Sequence, residues 1–89
     1  MSSVEEKARK LGELIKYYRE RAGYVNQYTL SKASNCSPIQ ISNYESGKTT
    51  PSKLVARELI DAMNLTREEA IEFIRLTDEL RIERRKKAE

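Results

Sequence analysis

Histidine is absent from this 89-residue chain, and cysteine occurs once, as Cys36. Structural zinc sites are built from Cys and His ligands, and His is the most common general acid or base. The sequence therefore excludes ordinary zinc sites and His-based catalysis, and we expect no cofactor. A single cysteine also excludes an internal disulfide framework, which fits a reducing cytosol.

Long apolar segments are missing as well. No run approaches the ~18 residues that a membrane-spanning helix needs, and no signal-peptide pattern is present. We therefore expect a soluble, cytoplasmic protein that does not contact membranes. The length allows one small domain whose core is only marginally sufficient alone, so a partner would help its stability. The formal net charge of +3 is compatible with nucleic acid without proving it.

Candidate catalytic groups are sparse, because only carboxylates remain. The pairs Glu5-Glu6 and Glu68-Glu69 lie at expected helix starts, where the helix dipole explains them. Gly47-Lys48-Thr49 resembles the end of a phosphate-binding P-loop, but the first glycine of that motif is missing and no strand precedes it. We therefore predict neither an enzyme nor a nucleotide-binding protein.

The most informative stretch is residues 27–45, which holds two short helical patterns with almost nothing between them. Asn35 tolerates the left-handed conformation that ends a helix. Ser37 suits an N-cap, Pro38 the first helical position, and Gln40 completes a capping box with Ser37. This spacing predicts a helix-turn-helix, whose second helix, 38–45, reads the DNA major groove.

Three further helices complete the prediction. A first helix is expected over about 4–22, a fourth over 52–63, and a fifth from about 67 to 84. We therefore predict an all-α, five-helix domain over residues 1–83 with an extended C-terminal helix. Residues 84–89 are expected to form a basic, frayed tail.

Several residues carry a resemblance to a known family. They are Gln27, Leu30-Ser31, residues 41–48, Pro51-Ser52 and residues 64–66. Over residues 11–65 the chain resembles the lambda-repressor-like (Cro and phage-repressor, XRE-type) helix-turn-helix family. Asn35 stands where the family usually has Gly, Cys36 where it often has Val, and the loop at 23–26 looks one residue longer.

The resemblance implies a transcriptional regulator, most simply a repressor, of phage, plasmid or bacterial-chromosome type. Outward residues of the second motif helix are the candidates for base reading: Pro38, Ile39, Gln40, Ser42 and Asn43. Asn can bond adenine, and Ile39 could cover a thymine methyl group. Gln40 stays ambiguous, because the capping box explains it without DNA.

Residues 37–44 carry no positive charge, so the affinity for DNA must come from flanking groups. The candidates for phosphate binding are Gln27, Lys32, Ser37, Ser46, Lys48, Thr49 and Thr50. Glu45 closes the reading helix, where the dipole disfavours an acid, so a cation should compensate it. The resemblance points to Arg19, and we expect a structural Arg19–Glu45 ion pair.

The apolar residues of the fifth helix cover more than the ~100° that one docking face needs. We assign one set to the intrachain core: Ala70, Ile71 and Ile74. We assign the adjoining set to the partner in a homodimer: Phe73, Leu76 and Leu80. Periodicity does not say which face meets which neighbour, so the reverse assignment stays open, as does a longer core contact within one domain.

Two functions remain. The first is a regulator that binds a two-fold-symmetric operator in double-stranded DNA as a homodimer. The second is a protein-interaction module on the same fold, such as an antitoxin or a regulator controlled by a protein partner (a toxin or an antirepressor). The outward face of helix 38–45 separates them, because only a regulator needs it to reach base edges.

Overall fold

The computed structural model describes residues 3–88, with side chains described through Lys86. This part of the chain contains five helices and no strand. The helices are α1 (Ser3–Arg21), α2 (Gln27–Ser34), α3 (Pro38–Glu45), α4 (Lys53–Ala62) and α5 (Arg67–Ala88). The predicted all-α architecture is confirmed. Within the same residues, no helix is both long and apolar enough to cross a membrane.

Local sequence determines how α2, α3 and α4 begin and end. Asn35 ends α2 at φ 58°, and Asn64 follows α4 at φ 55°, the left-handed region that Asn tolerates better than most residues. Ser37 and Gln40 form the capping box at the start of α3. Ser52 caps α4 by accepting a hydrogen bond from the Val55 N–H. The caps at Asn35 and Ser37 lie at the sharp corner between α2 and α3 that the sequence predicted.

The core draws on every helix. α1 packs against α3 and α5, while α4 packs against α2 and α5. The most deeply buried large side chains are Leu11, Ile15, Leu30, Ile41, Leu59, Met63, Phe73 and Leu80. Burial of a side chain of this size stabilises the fold by roughly 1.5–3 kcal/mol, and Leu30 and Ile41 bring α2 and α3 into this shared core.

Gly12 brings α1 unusually close to α3. A Cβ atom at this position would lie 2.2 Å from the Glu45 carbonyl oxygen and 3.0 Å from that of Tyr44. Real Cβ atoms do not approach backbone oxygens this closely, so any larger residue would push the two helices apart. The absence of a side chain lets the end of α3 rest directly on the backbone of α1.

The prediction of which α5 face meets the core is wrong. Phe73, Leu76 and Leu80 are only 1%, 9% and 0% exposed within the chain, whereas Ile71 and Ile74 are 52% and 37% exposed. The reason is that α5 packs against both α1 and α4, which buries a wider arc of its surface than contact with a single helix would. The side chains assigned to a partner therefore line the core. Of those assigned to the core, Ile71 and Ile74 are exposed and Ala70 is half-buried.

The C-terminal residues also differ from the expectation of a frayed tail. Residues 84–88 continue α5, and Glu89 lies outside the described residues. Lys7 on α1 bonds to Glu83 and lies 3.6 Å from Glu79, which ties this end of α5 to α1. Arg84 bonds to the loop between α3 and α4.

Candidate nucleic-acid interface

The end of α3 is anchored by a buried ion pair. Arg19 Nε donates to Glu45 Oε2 at 2.8 Å, and Arg19 Nη2 lies 3.4 Å from Oε1. Both side chains are more than nine-tenths buried. Gln27 Nε2 donates to Glu45 Oε1 at 3.1 Å, and Arg19 Nη1 donates to the Tyr24 carbonyl at 2.9 Å. The expected Arg19–Glu45 pair is present, and its carboxylate joins α1, α2 and α3.

This network changes the role available to Gln27, a predicted phosphate ligand. A primary amide has two N–H donors, and the bond to Glu45 takes one of them. The remaining N–H can still bind a phosphate, with its side chain held in place by the buried carboxylate. Gln27 thus links the support of α3 to the start of α2.

α3 divides cleanly into a buried and an outward face. Ile41 and Tyr44 are 0% and 6% exposed, whereas Ile39 is 74% exposed. The other candidates for base reading differ in exposure: Pro38, Gln40 and Ser42 are exposed, and Asn43 is half-buried. The predicted reading residues therefore share the side of α3 that does not pack on the core.

Gln40 is tied into the capping box. Its Oε1 accepts a hydrogen bond from the Ser37 N–H at 2.8 Å, and its own N–H donates to Ser37 Oγ at 3.1 Å. A bidentate contact to adenine needs the amide oxygen as well as the nitrogen. In this geometry Gln40 offers only its NH₂ group, so it is a weaker base-reading candidate than Ile39 or Asn43. The Ser37 hydroxyl keeps its own hydrogen for a phosphate.

The loop after α3 holds four predicted phosphate ligands in unequal states. Lys48 and Thr49 are exposed. The Ser46 hydroxyl donates to the Asn43 carbonyl at 3.1 Å, so its one hydrogen is already used. The Thr50 hydroxyl is half-buried and accepts a bond from Arg84 at 2.8 Å. Lys48 and Thr49 are therefore the side chains of this loop best placed to meet DNA.

The start of α2 supplies a second group of donors. Asn26 caps the helix by accepting a bond from the Thr29 N–H at 2.9 Å, which leaves the earlier N–H groups of α2 outside the cap. Lys32 Nζ lies 4.7 Å from the centre of the Tyr28 ring, and Tyr28 is 56% exposed. Sequence reasoning missed Tyr28, although its i, i+4 spacing from Lys32 predicts this cation–π contact.

The turn between α2 and α3 contains no ionised group. Cys36 is buried, and burial raises the pKa of its thiol, which therefore stays protonated and packs as a small apolar side chain. Glu45, the one acid of α3, is compensated by Arg19. The positive charges flanking α3 are therefore those of Lys32 on α2, Lys48 in the following loop, and Arg84 bound to that loop.

Comparison with known proteins agrees with this geometry. A family model described as helix-turn-helix matches residues 15–69, which is more than half of the chain. None of the curated proteins compared with the chain matches it significantly. The matched region runs from the second half of α1 through the α2–α3 corner to the first turn of α5. The chain belongs to the Cro-type, XRE-like helix-turn-helix family of DNA-binding regulators.

Proposed function

We propose that this protein is a sequence-specific transcriptional repressor that inserts α3 into the major groove of a two-fold-symmetric operator. The observation that carries the proposal is the contrast between the two faces of α3. Its inner face is held by the buried Arg19–Glu45 pair and by Ile41 and Tyr44, whereas Ile39 is 74% exposed. A helix fixed this firmly can present its outward side chains to base edges without rearranging.

Base reading would rest on Ile39, Ser42 and Asn43. An apolar side chain such as Ile39 can contact a thymine methyl group, and the Asn43 amide can bond adenine. The Ser42 hydroxyl can either donate or accept. Since a good base contact discriminates by about 1–3 kcal/mol, these few residues are enough for a preference but not for strong affinity.

Affinity would come from the phosphate backbone. Ser37 caps the start of α3 and the exposed Lys48 follows its end. The start of α2 lies against the end of α3, because Gln27 Nε2 donates to Glu45 Oε1 at 3.1 Å. Helix N-termini favour anions because their first N–H groups have no partner within the helix and because the positive end of the helix dipole lies there. Each cationic contact releases about one counterion, so the binding should depend on salt.

A homodimer would bring two such weak interfaces onto one site, and the α4–α5 groove is our candidate for its interface. The groove has a volume of ≈450 Å³ and is lined by Lys53, Leu54, Ala56, Arg57, Ile74, Thr77 and Asp78. Leu54 and Ile74 are 67% and 37% exposed, and Ile71 on the outer face of α5 is also exposed. These apolar side chains replace the buried set that the sequence assigned to the partner.

Charge along α4 favours a second copy as the occupant. Lys53 and Arg57 lie in its first half, whereas Asp61 lies near its end beside a second groove of ≈380 Å³ that also includes Arg57 and Ile74. A two-fold axis makes a surface meet itself, so residue pairs across it occur twice. An antiparallel copy of α4 would place each Arg57 near the partner copy's Asp61.

Selection from randomised duplexes, followed by sequencing, tests the proposal. We expect enrichment of one motif with two-fold symmetry, with half-sites about 34 Å or one DNA turn apart. Enrichment of a single half-site would contradict binding as a homodimer but would support sequence-specific DNA binding. No enrichment above the starting pool would contradict the regulator function altogether.

One observation favours a different function. The eight residues of α3 contain no Lys or Arg, and the most exposed large side chain among them is apolar. A protein-interaction module, such as an antitoxin or a partner-controlled regulator, could use the same face to bind a protein. A chain that shows no sequence preference in the selection, yet remains folded and dimeric, would support this alternative.

A further inference from the structure

Two arginines of α5 hold the loop that joins α3 to α4. Arg84 Nη1 donates to Thr50 Oγ1 at 2.8 Å and to the Lys48 carbonyl at 3.3 Å, and its Nη2 donates to the Gly47 carbonyl. Arg81 Nη2 donates to the Pro51 carbonyl at 2.9 Å. Four acceptors within residues 47–51 are therefore occupied by guanidinium groups that lie 30 to 37 residues further along the chain.

The same loop is fixed from two other directions. The N–H groups of Lys48 and Thr49 donate to the Asn43 carbonyl at 2.9 and 3.3 Å, which ties the loop to the end of α3. Gly47, at φ 82°, packs on α1 so closely that a Cβ there would lie 3.2 Å from the Ala8 carbonyl oxygen. Only the side chains of Lys48 and Thr49 remain exposed in the middle of the loop.

The chemistry of the acceptors matters for an anionic ligand. A loop that binds phosphate must present N–H groups, hydroxyls or cations and must keep its carbonyl oxygens away from the anion. Arg84 engages the carbonyls of Gly47 and Lys48 with a cationic guanidinium group. We call these contacts of Arg84 and Arg81 with residues 47–51 the clamp. The clamp provides hydrogen-bond donors and positive charge to carbonyl oxygens that would otherwise repel DNA.

We infer that Arg84, assisted by Arg81, is a positioning residue for DNA binding: it pre-organises residues 47–51 so that Lys48 and Thr49 meet the phosphate backbone already ordered. This inference rests on the proposed function, because it assumes that this loop contacts phosphate. Fixing the backbone of even one residue costs about 1–2 kcal/mol, so a loop ordered in advance saves roughly tenfold in affinity.

Arg85 provides a matched control. It is the next residue of α5, carries the same charge, is exposed, and makes no ion pair or hydrogen bond with any residue in the described range. Arg84→Met and Arg85→Met therefore remove the same charge from adjacent positions, but only the first removes the clamp. Arg84→Lys is the milder variant, because an ammonium group keeps the charge but cannot span three acceptors in a fixed fork.

The experiment combines two measurements on each variant. The first is amide hydrogen exchange of Lys48 and Thr49 in the DNA-free protein, and the second is affinity for the selected duplex across several salt concentrations. We expect Arg84→Met to speed exchange at both amides and to weaken binding about tenfold at an unchanged salt slope. Arg84→Lys should speed exchange less than Arg84→Met and lose correspondingly less affinity. Arg85→Met should change neither exchange nor, beyond a few-fold, affinity.

Each other outcome overturns the inference in a distinct way. Unchanged exchange in both Arg84 variants means that the clamp does not order the loop. If Arg84→Met exchanges faster but binds DNA as tightly as Arg85→Met does, the order of the loop does not contribute to DNA binding. A salt slope reduced by about one unit means that Arg84 binds phosphate directly. If the unmodified protein binds no duplex, the proposed function fails, while the exchange measurement still reports on the clamp.

Discussion

Glu45 Oε2 lies 2.8 Å from Arg19 Nε, in a pair whose side chains are 6% and 8% exposed for Arg19 and Glu45, respectively. The carboxylate stands at the end of α3, where the helix dipole disfavours an acid, and it also accepts a bond from Gln27 at 3.1 Å. Removing the arginine alone would leave a buried, uncompensated charge. The pair therefore ties the orientation of α3 to α1.

Arg19→Met should destabilise the protein by about 3–5 kcal/mol, because breaking one side of a buried pair leaves the other charge unsatisfied. Combining Arg19→Met with Glu45→Leu should recover much of this loss. Urea unfolding monitored by circular dichroism measures both variants. A double variant no more stable than Arg19→Met would show that the two residues are not energetically coupled.

Lys48→Ala should weaken binding to all duplexes alike and flatten the salt dependence by about one unit of slope. The physical reason is that Lys48, an exposed lysine in the loop after α3, is proposed to neutralise one phosphate. Anisotropy titrations at several salt concentrations measure the slope, with Lys16→Ala on the exposed side of α1 as the charge-matched control. An unchanged slope for Lys48→Ala would show that Lys48 does not contact the phosphate backbone.

Ile39→Ala and Asn43→Ala should each weaken binding to the selected duplex by about 1–3 kcal/mol and barely change binding to unrelated duplexes. Base contacts carry sequence information, whereas phosphate contacts do not. Parallel titrations on both kinds of DNA give the comparison. Equal losses on the two would mean that these side chains orient the protein without specifying the sequence.

Ile74→Glu should give a folded monomer whose operator binding is weaker by roughly a hundredfold or more, because avidity from the second half-site is lost. Sedimentation reports the association state and circular dichroism the fold. Tyr17→Glu adds the same charge to an exposed aromatic outside the groove and should leave the dimer intact. A folded Ile74→Glu variant that still sediments as a dimer would place the interface elsewhere.

Acid should weaken the link between α1 and α5. Arg21 bonds to both oxygens of Glu69, at 2.5 and 2.7 Å, and this contact, with the Thr66 N–H, lowers the pKa of Glu69 from 4.5 to about 2. Because the folded-state pKa is depressed, the stabilisation is complete above pH 4.5 and is lost as the pH falls through about 2. The unmodified protein should therefore lose its higher free energy of unfolding, relative to Glu69→Gln, as the pH falls across this window. Glu68→Gln, at an exposed neighbouring position, is the matched control for removing one carboxylate.

The parts of the fold that depend on adjacent residues could be predicted from sequence. The capping box of Ser37 and Gln40, and the left-handed Asn35, act within a few residues, so their pattern is visible in one dimension. The faces of α5 could not be assigned, because periodicity shows that Phe73 and Ile74 point apart but not which helix each one meets.

Arg84 was missed for a related reason. Basic residues at a helix C-terminus are explained by the helix dipole, so Arg84 reads as part of a solvated tail. The buried stripe of α5 nevertheless steps through Phe73, Thr77, Leu80 and Arg84 at spacings of four, three and four. A charge that continues such a stripe indicates a side chain with an acceptor to meet, and that signal was present in the sequence.

Gly12 has a consequence for how this protein can diverge. The end of α3 rests on the backbone of α1, and no outward side chain of α3 contributes to that support. Under the proposed function, substitutions at Ile39 and Ser42 would change the operator that is recognised without disturbing the contact between α1 and α3. The scaffold separates the side chains proposed to set recognition specificity from the position that must stay small, because Gly12 faces the backbone of α3 and is not one of the proposed DNA contacts.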